Sequence, residues 1–284
     1  YYDVGIAEQH ALTMSTGLAK GEMKPVLAIY STFLQRAYDQ VIHDAAIQNI
    51  DMTIAVDRAG IVGNDGETHQ GLFDYSFLRP VPNLVMMAAK NSEQLQHMLY
   101  TAVNYEGPAV LRYPRGAAPG KYIPHSVDKL QEIEIGRAEE LVEIEKDTEL
   151  TILAVGSTVV PAQKAVKILN DNGHKASLVD ARFIKPLDEE TILKALKNSK
   201  NILTVEEQVL AGGFSTAVLE LASDNQIALN NIKRIGIGDE FVAQGGMDEM
   251  RKEYQLDARG ILKNSLSLLS RAEEVNELWP EKKD

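Results

Sequence analysis

Apolar and amphipathic segments alternate along the chain, first over residues 1–115 and again from Leu150 onward. Short apolar runs are typical of buried strands, and longer segments with apolar residues three or four positions apart are typical of helices. The pattern predicts strands at Val26–Tyr30, Met52–Asp57, Ala109–Arg112, Thr151–Val155, Ala176–Asp180, Asn201–Val205 and Ile232–Ile235, and helices over 34–49, 92–104, 158–172, 188–198, 212–223 and 257–270. This alternation favours an α/β fold with two parallel-sheet, three-layer domains.

Residues 117–149 interrupt the alternation and divide the chain. A run rich in glycine, alanine and proline at 116–120 opens this stretch, and a charged run closes it. We therefore predict a first domain over 1–116, a linker with short extended segments over 117–149, and a second domain over 150–284. A length of 284 residues fits two domains. The terminal run 280–284 is interpreted as a solvated tail.

Composition narrows the classes of protein to which this chain can belong. The 44% of hydrophobic residues is ample for two cores, and no run approaches the roughly 18 apolar residues of a membrane span. The absence of cysteine excludes disulfides and thiolate metal sites. A net charge of −12 argues against general binding of nucleic acid. We predict neither a nucleic-acid nor a membrane partner, and a site for anions would require a local concentration of arginines.

Four short segments carry the candidate chemistry, and each also has an ordinary structural interpretation. They are Gly-Ile-Ala-Glu-Gln-His-Ala at 5–11, Tyr-Ser-Thr-Phe-Leu-Gln-Arg-Ala-Tyr-Asp-Gln at 30–40, Asp-Arg-Ala-Gly-Ile-Val-Gly-Asn-Asp-Gly-Glu-Thr-His-Gln-Gly at 57–71 and Arg-Tyr-Pro-Arg-Gly at 112–116. Taken singly, Glu8 is an acidic residue favoured in the first turn of a helix, Phe33 is a core aromatic, and His69 is an exposed hydrogen-bond donor. Arg112 and Arg115 are expected to project from a strand end and the loop after it.

Together these segments resemble the 1-deoxy-D-xylulose-5-phosphate synthase family of transketolase-like thiamine-diphosphate enzymes. The resemblance extends over essentially the whole chain. It implies a pyrimidine-binding domain, without its first strand and helix, followed by a transketolase C-terminal domain concerned mainly with dimer assembly. The family's N-terminal domain, with its metal and diphosphate motif, has no counterpart in this sequence. We therefore expect no metal ligands here and place those of Mg²⁺ in that domain.

The resemblance implies a cofactor site for thiamine diphosphate. Glu8 would hydrogen-bond a pyrimidine nitrogen and activate the cofactor, and is thus a candidate catalytic residue. Phe33 would stack on the pyrimidine ring. Tyr30 and Arg36 would line the same site.

The resemblance also implies a substrate site. Arg58, Asp65 and His69 would line the channel for the acceptor substrate, together with Tyr30. His69, the second candidate catalytic residue, would donate to substrate oxygens and transfer protons. Arg115 would bind the acceptor's phosphate together with Arg58, because guanidinium groups pair with phosphate through two hydrogen bonds.

The implied reaction is the thiamine-dependent, decarboxylating condensation of pyruvate with D-glyceraldehyde 3-phosphate to 1-deoxy-D-xylulose 5-phosphate and CO₂, a precursor of isoprenoids, thiamine and pyridoxal. The implied partners are a second copy of the chain in a homodimer and the N-terminal domain, in the bacterial cytoplasm or a plastid. The chain alone is expected to be inactive. Two alternatives remain open: a β subunit of an α-keto-acid dehydrogenase, and a non-catalytic transketolase-like subunit.

Overall fold

The computed structural model describes residues 1–120, 127–229 and 231–279, so the predicted tail and residues 121–126 of the predicted linker lie outside the described residues. The strands are β1 (Val26–Tyr30), β2 (Met52–Asp57), β3 (Val85–Ala88), β4 (Pro108–Arg112), β5 (Glu139–Val142), β6 (Thr148–Ala154), β7 (Ala176–Asp180), β8 (Phe183–Lys185), β9 (Ser199–Val209) and β10 (Ile232–Ile237). The helices are α1 (Glu8–Lys20), α2 (Ser31–Leu34), α3 (Tyr38–Gln40), α4 (Asp74–Leu78), α5 (Ser92–Asn104), α6 (Val159–Asp171), α7 (Glu189–Asn198), α8 (Phe214–Asp224), α9 (Met247–Glu253), α10 (Ala258–Leu268) and α11 (Val275–Leu278). Within the described ranges, none of these helices has the length and apolar character needed to cross a bilayer.

The strands form two five-stranded sheets, ordered β1-β2-β4-β3-β8 and β10-β9-β6-β7-β5. Neighbouring strands are parallel except at one edge of each sheet, where β8 runs antiparallel to β3 and β5 antiparallel to β7. The predicted α/β class with two layered domains is therefore confirmed, with an antiparallel edge strand added to each parallel sheet. β5 lies inside the stretch predicted as a linker, and β3 and β8 lie where the sequence pattern predicted no strand.

Strand β8 joins the two domains, because it belongs by sequence to the second domain and completes the sheet of the first. In the antiparallel pairing of β8 with β3, Phe183 lies opposite Met87 and Lys185 lies opposite Met86. The Phe183 side chain is fully buried and belongs to a core cluster with Met87 and Leu111. The two domains are thus connected by a shared sheet as well as by side-chain packing.

One apolar core extends through both domains. Leu12 of α1 and Leu34 of α2 belong to the same buried cluster as Phe214 and Val218 of α8. A second cluster lies between the second sheet and the pair α6 and α10, and includes Val166. Burial of the apolar side chains in these clusters is the main source of stability for the packed helix and sheet layers.

A buried arginine lies where the domains meet. Arg112, the last residue of β4, is 4% exposed, and its Nε donates to Asp74 Oδ2 at 2.7 Å. Nη2 donates to the carbonyl oxygens of Gly71 at 3.1 Å and Glu207 at 2.9 Å, and Nη1 to the Tyr75 hydroxyl at 3.3 Å. Burial opposes the positive charge, but the adjacent Asp74 carboxylate raises the pKa of Arg112 above its ordinary value. The guanidinium group therefore stays charged and connects β4, α4 and β9.

We predict that Arg112→Met destabilises the chain by about 3–5 kcal/mol, because it leaves the fully buried Asp74 carboxylate without a counter-charge. Urea unfolding at pH 7 measures the change in the free energy of unfolding. The double variant Arg112→Met with Asp74→Leu should recover most of the loss, since replacing both members of a buried ion pair by apolar groups is often nearly neutral.

The control is Arg271→Met, which removes an exposed arginine that pairs with Glu274. Its effect should stay below about 1 kcal/mol. Equal losses in the single and double variants at Arg112 would contradict the assignment of the cost to an unpaired buried charge.

Candidate functional site

The candidate site lies at the carboxyl ends of three neighbouring parallel strands. β1, β2 and β4 are adjacent, and their register places Tyr30 opposite Asp57 and Val56 opposite Arg112. The loops that leave these strands therefore meet at one edge of the first sheet. Open α/β sheets bind ligands at this edge, outside the carboxyl ends of their strands.

An aromatic and cationic cluster forms the centre of the site. The rings of Tyr30 and Phe33 stack with their centroids 5.3 Å apart, and His69 meets Phe33 edge-on at 5.4 Å. The guanidinium carbon of Arg58 lies 4.2 Å from the centroid of the Tyr30 ring, a cation–π distance. Arg58 has a left-handed backbone with φ 52°, and its N–H donates to Asp57 Oδ1 at 2.6 Å. This local turn directs its side chain back over Tyr30.

A single carboxylate bridges the two arginines of the site. Asp65 Oδ2 lies 2.6 Å from Arg58 Nη1, and Asp65 Oδ1 lies 3.0 Å from Arg115 Nη1. Arg115 Nη1 also donates to the carbonyl oxygen of Val62 at 3.1 Å. The side chains of Arg58 and Arg115 are 28% and 40% exposed, so an anion from solvent can reach both. Two guanidinium groups on one carboxylate leave a net positive site, which suits a dianion such as phosphate.

The substrate loop, which we define as residues 58–71, is closed by backbone hydrogen bonds at its two ends. Gly60 N donates to Gly71 O at 2.7 Å, and Gly71 N to Gly60 O at 2.8 Å. A Cβ atom at Gly71 would lie 2.3 Å from the Arg58 carbonyl oxygen, so only glycine fits there. Thr32 Oγ1 donates to Thr68 O at 3.0 Å, which joins the loop to the turn that carries Phe33. The closed base fixes the positions of Asp65 and His69.

Glu8 and Arg36 form the second part of the site. Glu8 is the first residue of α1 and is 8% exposed, and its Oε2 lies 3.2 Å from Arg36 Nη1. Arg36 follows the helical turn that carries Phe33, and its side chain is 62% exposed. A buried carboxylate thus lies at a helix start next to a turn that presents an aromatic ring, an arrangement suited to a flat, nitrogen-containing heterocycle.

The eight predicted site residues fall into these two groups. The structure brings together Tyr30, Phe33, Arg58, Asp65, His69 and Arg115, and it pairs Glu8 with Arg36. The expectation that both Arg112 and Arg115 project from the strand end is wrong for Arg112, which is buried on Asp74. Within the described ranges, no group of three or more histidine, aspartate or glutamate side chains is placed to hold a metal ion.

Two residues that support the substrate loop were missed by sequence reasoning. Gln70 is 3% exposed, and its amide bridges Val62 N at 2.8 Å and Ala243 O at 2.9 Å. Glu207 of β9 is 2% exposed, and its Oε1 accepts from Ile61 N at 3.1 Å. The available signal for Glu207 was the polar run 206–208, which follows the apolar residues Ile202, Leu203 and Val205 of β9. Buried polar residues of this kind are retained where they are hydrogen-bonded.

Two protein-family models match the chain. The model for the transketolase pyrimidine-binding domain matches residues 1–121, and the model for the transketolase C-terminal domain matches residues 139–261. Together these matches take in nearly all of both sheets, and they confirm the resemblance to transketolase-like proteins.

Curated relatives are longer than this chain. A 1-deoxy-D-xylulose-5-phosphate synthase of Halothermothrix orenii is 49% identical over 282 residues, which are 99% of this chain and 43% of that protein. A 1-deoxy-D-xylulose-5-phosphate synthase 1 of Geobacter sulfurreducens is 50% identical over 92% of this chain and 40% of its own length. The chain therefore spans less than half the length of the curated relatives that it matches.

Solved structures share the fold. A split-gene transketolase described as an inactive β4 tetramer aligns with a TM-score of 0.83 and 25% identity, over 95% of this chain and 84% of that one. The transketolase of Campylobacter jejuni aligns with a TM-score of 0.72 and 20% identity, over 93% of this chain and 39% of its own. This chain therefore covers most of the first of these structures and well under half of the second.

Proposed function

The chain belongs to the transketolase-like enzymes, as a pyrimidine-binding domain followed by a C-terminal domain, and we propose that it is the C-terminal part of a 1-deoxy-D-xylulose-5-phosphate synthase. In this proposal the domains extend over 1–116 and 150–284 and are joined by 117–149. The reaction is the decarboxylating condensation of pyruvate with D-glyceraldehyde 3-phosphate. The observation that carries the proposal is the bridge from Arg58 through Asp65 to Arg115, beside the rings of Tyr30 and Phe33.

The cofactor proposed for the site is thiamine diphosphate, which supplies a carbanion equivalent for the decarboxylation and carbon–carbon bond formation. Phe33 is partly buried and would stack on the pyrimidine ring, and Tyr30 supports Phe33 by stacking against it. Glu8 would hydrogen-bond a ring nitrogen of the pyrimidine, and Arg36 orients the Glu8 side chain from the solvent side. The buried position of Glu8 would keep water from competing for that hydrogen bond.

The acceptor's phosphate is proposed to bind at Arg58 and Arg115. Both guanidinium groups contact Asp65 and are half-buried, so their positions are fixed before a ligand arrives. A phosphate competes with the Asp65 carboxylate for the same N–H groups, and Asp65 then turns toward the hydroxyl groups of the acceptor. This exchange favours a dianion over a neutral acceptor.

His69 is proposed to transfer a proton to or from the acceptor's aldehyde oxygen. Its ring lies edge-on against Phe33, with Nδ1 2.9 Å from Thr68 Oγ1. That contact leaves Nε2 free to face the substrate. An imidazole suits this role because its ordinary pKa lies near neutrality.

Activity is proposed to require a diphosphate-binding domain and a second copy of the chain. The metal ligands for Mg²⁺ and most contacts to the cofactor's diphosphate are placed in that domain, which the longer relatives have room for. The split-gene transketolase, most of whose length this chain covers, is described as inactive, and this supports inactivity of the chain alone. We propose a homodimer as the active assembly and the cytoplasm as its location.

The test is an assay of the chain combined with the diphosphate-binding half of the Halothermothrix orenii relative. With pyruvate and D-glyceraldehyde 3-phosphate, formation of 1-deoxy-D-xylulose 5-phosphate supports the proposal. Turnover of pyruvate only with a lipoyl acceptor would instead identify a β subunit of an α-keto-acid dehydrogenase. Cofactor binding without turnover of either kind would identify a non-catalytic subunit.

We predict that Glu8→Gln lowers hydrogen–deuterium exchange at the thiazolium carbon of the bound cofactor by at least about a hundredfold, since the amide has no carboxyl proton to share with the ring. Proton NMR of the reconstituted enzyme after acid quench measures the exchange. Glu22→Gln, an exposed glutamate just beyond the other end of α1, is the matched control and should exchange normally. Near-normal exchange in Glu8→Gln would remove Glu8 from this role.

We predict that Arg115→Ala raises the KM for D-glyceraldehyde 3-phosphate about tenfold to a hundredfold, because one charge-assisted contact contributes about 1.5–3 kcal/mol. The KM for unphosphorylated glyceraldehyde should change less than about threefold. Steady-state kinetics of the reconstituted enzyme with both acceptors measures the difference, and Arg271→Ala serves as the surface control. Equal increases for both acceptors would argue against phosphate binding at Arg115.

We predict that the chain alone binds thiamine diphosphate only weakly. The described residues include no group of side chains placed to hold a metal ion, and the proposal assigns the metal and helix-terminus contacts to the diphosphate-binding domain. Isothermal titration calorimetry with Mg²⁺ should show no binding in the micromolar range. The same titration after addition of the diphosphate-binding half is the positive control. Micromolar, magnesium-dependent binding by the isolated chain would refute the division of the cofactor site between two domains.

A further inference from the structure

We propose that Glu207, a residue of the second domain, positions the substrate loop and through it the phosphate-binding Arg115. The inference rests on the proposed function, because it assigns Glu207 a role in recognition of the phosphorylated acceptor. Glu207 itself does not contact Arg58, Asp65 or Arg115, so it is a positioning residue and not a catalytic one.

The Glu207 carboxylate connects three parts of the molecule. Oε1 accepts from Ile61 N of the substrate loop at 3.1 Å and from Arg251 Nε at 3.1 Å. Oε2 accepts from Arg251 Nη2 at 3.3 Å and from the Ser157 hydroxyl. With its side chain 2% exposed, the carboxylate is held from the second domain by Arg251 and Ser157 and has one oxygen directed at the loop.

The loop is shaped to receive this carboxylate. Gly60 has φ 86°, and a Cβ atom there would lie 2.8 Å from Glu207 Cδ. The carboxylate therefore packs directly against the backbone of Gly60, and the Ile61 N–H points at it. A side chain at position 60 would separate the carboxylate from the backbone. Because glycine has none, the two are in direct contact, and this contact fixes the loop at its base.

The position of Ile61 determines the position of Arg115. The next residue, Val62, accepts from Arg115 Nη1 at 3.1 Å, and its N–H donates to Gln70 Oε1 at 2.8 Å. Gln70 Nε2 in turn donates to the carbonyl oxygen of Ala243 in the second domain, at 2.9 Å. The second domain thus holds the Ile61 amide directly through Glu207, and the Val62 amide indirectly through Gln70 of the loop. The carbonyl group of Val62 and the carboxylate of Asp65 together orient the guanidinium group of Arg115.

Loss of the carboxylate should therefore act on the acceptor's phosphate in particular. Without it the Ile61 N–H and the half-buried Arg251 both lose their partner, and the Ile61–Val62 segment gains freedom to rotate. Arg115 then has a moving acceptor at Val62 and an unchanged one at Asp65. Phe33 and Glu8, which serve the cofactor, have their own supports in the first domain.

The first experiment measures backbone hydrogen exchange by mass spectrometry on the 284-residue chain. In Glu207→Ala, the peptide that contains amides 60–63 should exchange faster than in the unmodified chain, by about tenfold or more at the Ile61 amide, because the hydrogen bond from Ile61 N to Glu207 is lost. The matched control is Glu220→Ala, which removes a different ion pair between the domains, from Arg79 to Glu220. Exchange of amides 60–63 that is unchanged, or that rises equally in the control, overturns the proposal.

The second experiment measures steady-state kinetics in the enzyme that contains the diphosphate-binding half. Glu207→Ala should raise the KM for D-glyceraldehyde 3-phosphate about tenfold while changing the KM for glyceraldehyde and for pyruvate less than about threefold. Glu207→Gln retains an oxygen for Ile61 N and should restore more than half of the lost affinity. It also serves as the variant for study if Glu207→Ala does not fold.

Equal effects on the phosphorylated and unphosphorylated acceptors, or a Glu207→Gln variant as impaired as Glu207→Ala, would overturn the positioning role. The two hypotheses fail in different ways. If the unmodified enzyme does not turn over D-glyceraldehyde 3-phosphate, the proposed function is wrong. The hydrogen-exchange result then decides by itself whether Glu207 positions the loop.

Discussion

The charge on Arg112 is the constraint around which the two domains are arranged. Its guanidinium group is almost fully buried, and burial of an unpaired cation costs many kcal/mol. The group must therefore meet acceptors in every direction, and these come from α4, from the end of the substrate loop and from β9. A shift of any of these elements would leave a buried charge without a partner. The relative position of the domains and the closure of the loop are thus fixed by the same interaction.

Much of the fold could be predicted because many of its strands are short apolar runs. β1, β2 and β7 appear where these runs predicted them. β2 and β7 lie inside their sheets, where strands covered on both faces need continuous hydrophobic sequence, whereas β1 is an edge strand whose burial alternates. The three residues of β8 are too few to show a period, and the strand forms only because β3 offers an unpaired edge. Its existence depends on tertiary contacts between domains. No local pattern could have indicated that the second domain completes the first sheet.

The chemistry of the site could be predicted because its motifs record residue types. The directions of the side chains could not be predicted, because residue types do not record them. Arg112 and Arg115 stand three positions apart and have the same chemistry, yet one is buried on Asp74 and the other lies on Asp65. The difference arises because Arg112 is still within β4, with its side chain on the face covered by α4, whereas Arg115 lies in the loop beyond. The left-handed backbone of Arg58, which directs that side chain over Tyr30, is likewise invisible in the residue types.

Glu207 shows how the second domain acts on chemistry that lies in the first. A loop with glycines at 60, 63, 66 and 71 would have many accessible conformations in isolation. Its backbone N–H groups need acceptors: Glu207 of the second domain accepts from Ile61 N, and Gln70 of the loop, itself bound to Ala243 of the second domain, accepts from Val62 N. The glycines allow the close approach, and the carboxylate selects one conformation from those that glycine permits. Under the proposed function, a domain whose sequence shows little chemistry of its own would in this way orient the anion-binding arginine of the neighbouring domain.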